Sequence, residues 1–177
     1  MALQPIQWAA PDKLRFVQQE MTTLFHRRVY VLPDISMPVA FQNLSKGERY
    51  SADSLLSWLS GRKADTLALL VGLTGKDIFT TKRQDSVWGI FGLGYCPGIA
   101  CVVSDHRLGL PDGPLYDHRL RTIVAHEIGH NLGLPHCPTP HCIMNDANER
   151  IATVDGSAGD FCAACRRKLP YLGQQHQ

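Results

Sequence analysis

His126-Glu127-Ile128-Gly129-His130-Asn131-Leu132-Gly133-Leu134-Pro135-His136 is the stretch on which the reading of this 177-residue chain turns. Residues four apart on an α-helix are separated by about 400°, so His126 and His130 point about 40° apart and can hold one metal ion. Ile123, Val124, Ile128 and Leu132 give the same helix an apolar side with which to sit on a core. Gly133 can take the positive φ that ends a helix. The chain then bends back and His136 can reach the same ion. Three imidazoles with a fourth position open describe a catalytic zinc rather than a structural one. Glu127 is placed beside such a metal and not on it, where a carboxylate can take the proton of a zinc-bound water. The plain alternative is three hydrogen-bonded histidines near a helix end; the added glycine and third histidine favour the metal.

Working outward, this helix is expected over residues 116–132, behind a turn at Pro111, Gly113 and Pro114. Residues 12–26 carry Leu14, Val17, Met21, Leu24 and Phe25 at helical spacing, and residues 51–60 read as another helix with Leu55, Leu56, Trp58 and Leu59 on its buried side. Residues 28–32 and 99–103 are β-branched runs, and 38–44 read as strand or loop. Residues 66–72 (TLALLVG) form a continuous apolar run that suits a central strand buried on both faces. Residues 87–94 (VWGIFGLG) are aromatic and glycine-rich, the pattern of a sheet edge or a close backbone approach. This alternation of strand and helix argues for a layered α/β core. After Gly133 the chain is polar and cysteine-bearing, with a short basic helix over 161–168. Residues 1–136 are therefore read as an α/β part ending in the third histidine, and 137–177 as a small part that needs staples, within one domain.

Composition removes other classes. Hydrophobic residues make up 44% of the chain, enough for a core. Eighteen basic against sixteen acidic side chains leave +2, which gives no reason to expect nucleic acid. The apolar run over 67–72 is far short of the ~20 residues of a membrane span. Residues 72–77 (GLTGKD) imitate a phosphate loop, but Leu70 and Asp77 stand where that motif requires glycine and Ser/Thr. Arg166-Arg167-Lys168 complements a helix C-terminus and is not a polyanion patch.

Cys137, Cys142, Cys162 and Cys165 fall within thirty residues and end in a C-x-x-C pair. Residues 1–13 show no basic segment followed by an apolar core, so no export signal is read there. Clustering in such a chain favours metal thiolates; two disulfides and a redox C-x-x-C are the alternatives. A cytoplasmic location is expected. Cys96 and Cys101 are read as core or loop thiols, with a disulfide or a lid over the cleft left open. His141, beside Cys142, is read as a surface histidine.

The histidine motif is the extended form found in metzincins. It is followed by Cys137, four residues, Cys142, one residue, Met144, seventeen residues and Cys162-x-x-Cys165. That full string resembles the archaemetzincin family of zinc metallopeptidases, and residues 65–165 carry the likeness. The resemblance implies an α/β (α+β) fold with a twisted, mostly parallel sheet, one antiparallel edge strand and two main helices. It implies two zinc ions: a catalytic one on His126, His130 and His136 with Glu127 as general base, and a structural one on Cys137, Cys142, Cys162 and Cys165. Met144 would lie beneath the site in the Met-turn. Asp146 holds the position where some metzincins have a metal-approaching tyrosine, so no such switch is expected. Residues 87–94 are assigned to the edge strand, where a peptide could add in extended form. The expected activity is hydrolysis of a peptide or protein substrate by a monomer. The competing expectation is a zinc-bound interaction or regulatory module that cleaves little, and a hydrolase of non-peptide amides stands third.

Overall fold

The computed structural model describes residues 1–82, 85–109, 112–148 and 150–169. Its elements are β1 (Ala2–Ile6), α1 (Pro11–Phe25), β2 (Tyr30–Val31), β3 (Gln42–Asn43), β4 (Arg49–Ser51), α2 (Ala52–Arg62), β5 (Leu70–Thr74), β6 (Ile78–Lys82) and β7 (Asp85–Ile90). There follow β8 (Gly92–Gly94), β9 (Ala100–Ser104), α3 (Pro114–Asn131), α4 (Ile151–Asp155) and α5 (Ala163–Lys168).

Five strands form one sheet in the order β2-β1-β5-β9-β8; the first four run parallel and β8 is antiparallel to β9. Alternation decides what each strand covers, because successive side chains point to opposite faces. Leu3, Val71, Leu73, Cys101 and Val103 join one apolar cluster with Val17 and Met21 of α1 and Leu120, Val124 and Ile128 of α3. Ala2, Ile6, Leu70, Ala100 and Val102 join the other, with Leu55, Leu56 and Leu59 of α2. The expected central strand is thus present as β5, starting four residues later and ending two later, at Thr74. A parallel strand covered on both faces has no polar side, which is why its sequence is apolar throughout. At Gly72 a Cβ would lie 2.5 Å from Leu59 Cδ1, so the absence of a side chain there lets α2 pack closely on the sheet.

The fold class is as expected, with three differences in detail. Helices lie on both faces, so there are three main helices and not two. A second mixed sheet, β3-β4-β6-β7, adjoins the first. The expected edge strand over 87–94 divides between the two sheets: β7 pairs antiparallel with β6, and only β8 forms the antiparallel edge of the main sheet. The division at Phe91 has a physical cause. Ile90 turns into the α2-side cluster, whereas a Cβ on Gly92 would stand 2.7 Å from Glu127 Cγ of α3 and one on Gly94 would crowd Asn131 at 3.1 Å.

No strand was expected before residue 12, yet β1 is buried along its whole length. Gln4 and Pro5 obscure it. The Gln4 amide is satisfied by the carbonyls of Pro33 at 2.7 Å and Pro5 at 3.0 Å, and the Pro5 carbonyl accepts from Ile35. β6 and α4 were also unassigned from the sequence. The segment after Cys137 sends Ile143, Met144, Val154, Phe161 and Leu169 into the cluster between α1, α3 and the sheet. Among the described residues, no helix is long and apolar enough to cross a membrane.

Candidate active site

Helix α3 carries the first two histidines, and its termination places the third. Pro114 opens the helix, where a missing N–H costs nothing. At the other end Gly133 has φ +91°. Its N–H donates to His130 O at 2.8 Å and the Leu134 N–H to Gly129 O at 3.0 Å, the paired bonds of a Schellman stop. The chain reverses there, and Cys137 N–H donates to Met144 O at 2.8 Å. His126, His130 and His136 then converge, with one ring nitrogen from each lying within 4.8 Å of the others.

The ring nitrogen left for a ligand is set by what holds the other one. Nδ1 of His126 lies 2.8 Å from Ile143 O and Nδ1 of His130 lies 2.8 Å from Leu134 O. Those carbonyls only accept, so each Nδ1 carries the proton and each Nε2 keeps its lone pair. Nδ1 of His136 faces Asp146 Oδ2 at 3.5 Å. Burial lowers His126 to about 4 and also lowers His130, so both rings are neutral near pH 7. Three converging imidazoles are a donor set that fits a divalent metal.

Glu127 is only 7% exposed, and burial pushes its carboxyl up to about 8. A Cβ on Gly92 would lie 2.7 Å from Glu127 Cγ, so β8 and this side chain are in direct contact. A cleft of about 370 Å³ opens here, with Ile123, His126, Glu127 and His130 on α3 and Gly92 and Leu93 on β8 among its lining residues. Of the proposed substrate strand, only residues 90–94 reach this cleft. Met144 is fully buried against α3: a Cβ on Gly129 would lie 2.5 Å from its Sδ. Glycine at 129 therefore leaves room for Met144 against the helix.

Cys137, Cys142, Cys162 and Cys165 form a second group whose sulfurs lie within 4.8 Å of one another. Four sulfurs about 2.3 Å from a common centre stand ~3.8 Å apart in a tetrahedron. Cys137 Sγ is 3.7 Å from Cys162 Sγ, and Cys142 Sγ is 3.8 Å from Cys165 Sγ. The cysteines are free thiols in an arrangement that fits a thiolate metal site. The Cys165 backbone N–H bonds to the sulfur of Cys162, bringing that thiol down to about 6. Cys96 is exposed and Cys101 buried, neither in a disulfide. His141 is exposed, with Nδ1 2.5 Å from Gly156 O, and is not grouped with the four sulfurs.

A family model described as peptidase family M54 matches residues 10–171. The chain belongs to that family. Relatives of this M54 chain include the archaemetzincin of Archaeoglobus fulgidus, 34% identical over 148 residues, which are 84% of this chain and 85% of the relative. The crystal structure of archaemetzincin from Methanopyrus kandleri superposes with a TM-score of 0.80 at 27% identity, covering 98% of this chain and 96% of that one. That of the Archaeoglobus fulgidus protein, complexed with malonate, gives 0.78 at 28% identity over 95% and 99%. The likeness to archaemetzincins read from the sequence is borne out, and the M54 chain is a zinc metallopeptidase acting on peptide or protein substrates.

Gly92 and Asn131 were not singled out as parts of the site, and Asp146 was noted only as standing where some metzincins have a tyrosine. Asn131 Nδ2 donates to Tyr95 O at 3.0 Å, and Asn131 O accepts from Gly98 at 3.1 Å, tying the loop after β8 to the end of α3. Gly92 and Asn131 matter through contacts between segments distant in sequence, which no local pattern announces.

Proposed function

We propose that the chain hydrolyses peptide bonds at the histidine cluster, with His126, His130 and His136 holding the zinc ion and Glu127 acting as general base. The observation that carries this reading is a carboxyl buried in the cleft wall, one residue from the point where three imidazoles converge. A zinc ion there supplies Lewis acidity, polarising the scissile carbonyl and making water more acidic. Glu127 takes the proton of the attacking water and passes it to the departing amine nitrogen. Burial raises its proton affinity towards the range in which a base can give the proton back; a dication nearby acts in the opposite direction. The free edge of β8 offers backbone groups to an extended peptide, placing its carbonyl opposite Glu127.

Met144 is the packing floor of this site, in the Met-turn role. The four cysteines hold a second, structural zinc ion that stabilises the segment after residue 137. This reading takes the protein as a cytoplasmic monomer with no nucleic-acid or membrane partner, residues 1–136 as its larger part and 137–177 as its zinc-stapled smaller one.

The test is digestion of a proteome-derived peptide library by the zinc-loaded protein, read by mass spectrometry, beside Glu127→Ala. Cleavage by the wild type and at least a hundredfold less by the variant, at equal zinc content, is the expected result. An unchanged rate in the variant excludes Glu127 as the base. No products from a protein carrying both zinc ions favours the interaction module.

A further inference from the structure

The three imidazoles are not supported alike. His126 and His130 sit on α3, and each rests its Nδ1 on a backbone carbonyl at 2.8 Å. His136 lies in a loop, its side chain 48% exposed, and the group facing its Nδ1 is a carboxylate. That carboxylate is itself held. Asp146 Oδ1 accepts from the Asn148 backbone N–H at 2.9 Å, leaving Oδ2 turned to His136 at 3.5 Å. The adjacent Asn145 braces the same two segments, its Nδ2 donating to Cys137 O and, at 2.8 Å, to Thr139 O. The loop carrying His136 and the loop carrying Asp146 are thus tied together on both sides of the pair.

We propose that Asp146 is the positioning residue of the third histidine: its Oδ2 accepts from Nδ1–H of His136, turning Nε2 of that ring towards His126 and His130. The inference rests on the zinc-site reading above. A carboxylate does for the exposed ring what carbonyls do for the two half-buried ones, and it adds a negative charge. The charge matters because three neutral imidazoles leave the dication's charge uncompensated, and an anionic acceptor raises the basicity of the ligand nitrogen. Outer partners of ligating histidines are worth 10–100-fold in metal affinity. The pair is about half exposed on both sides, which places the expected effect at the lower end, roughly tenfold.

The experiment measures zinc affinity at the histidine site by competition with a chromophoric chelator, the thiolate site being kept filled, for wild type, Asp146→Asn, Asp146→Ala and His136→Ala. Melting temperature reports folding for each variant. Asparagine keeps an oxygen for the Asn148 N–H and removes only the charge, so it separates the two roles of the side chain. The expected result is a loss of roughly tenfold in both Asp146 variants, with melting of the Asn variant unchanged. The Nδ1 proton of His136, followed by NMR in the zinc-loaded protein, shifts upfield in Asp146→Asn as its acceptor weakens. Wild-type affinity in Asp146→Asn, whether or not the Ala variant is weakened, overturns the proposal and leaves Asp146 a turn-forming residue. If His136→Ala also binds zinc as the wild type does, the failure lies with the zinc-site reading itself.

Discussion

Gly92→Ala should impair catalysis without touching a metal ligand. Gly92 is the first residue of β8, paired with Val103, and its φ lies outside the left-handed region, so alanine fits the backbone. The difficulty is Glu127: the new Cβ would stand 2.7 Å from its Cγ, 2.8 Å from Oε1 and 3.0 Å from Cδ. Carbon atoms in contact rest about 3.5–4.0 Å apart, so Cγ must retreat by roughly 0.8 Å or more, carrying the carboxylate with it. A misplacement of about 1 Å in a catalytic group can cost on the order of a hundredfold, or about 2.7 kcal/mol of transition-state stabilisation. The assay is kcat on a peptide identified from the library, with zinc content and melting temperature measured in parallel. Gly61→Ala is the control, since nothing lies within 4 Å of the added carbon; it should leave kcat unchanged. A Gly92→Ala enzyme with kcat within about threefold of wild type would refute the argument that catalysis needs Glu127 where β8 now holds it.

Two further outcomes follow from the charges and the thiols. Burial raises Glu127 from the usual carboxylate value to about 8, so with the histidine site emptied the folded state holds this proton more tightly than the unfolded one. Its contribution to stability is complete below the unfolded pKa and is lost as pH rises through about 8. The difference in stability between wild type and Glu127→Gln, from chemical denaturation of the metal-stripped site, should therefore shift against the wild type with rising pH. The slope is at most about 1.4 kcal/mol per pH unit; a flat difference between pH 5 and pH 8 would contradict it. Cys165→Ser removes one of four converging sulfurs, and should release about one zinc ion per chain and lower the melting temperature. Unchanged metal content and melting would show that the cluster has been misassigned.

Much of the site was legible because its rules are local. His126 and His130 share a face by helix geometry alone, and the turn at Gly133 that brings back His136 is made by hydrogen bonds among residues 128–134. The helices α1, α2 and α3 were legible for the same reason, their apolar residues recurring every three or four positions. β5 and β9 were legible as apolar runs, although β5 begins four residues later than the run suggests. What escaped was non-local. β1 contains Gln4 and Pro5, and only the carbonyls supplied by residues 33 and 5 and the pairing with β5 make a strand of it. Residues 87–94 read as one edge because composition does not show where a strand leaves one sheet for another.

The sequence by itself determined the chemistry available: three histidines at spacings a helix and its stop can bring together, an adjacent carboxylate, and four clustered thiols. Only the tertiary structure decided the environment that gives that chemistry its character. Whether Glu127 is buried depends on β8 lying against α3, and the partner of each Nδ1 depends on the segment from Leu134 to Asp146 returning to the helix. Spacing along a chain sets local angles, whereas burial and electrostatic partners are properties of segments that meet only after folding.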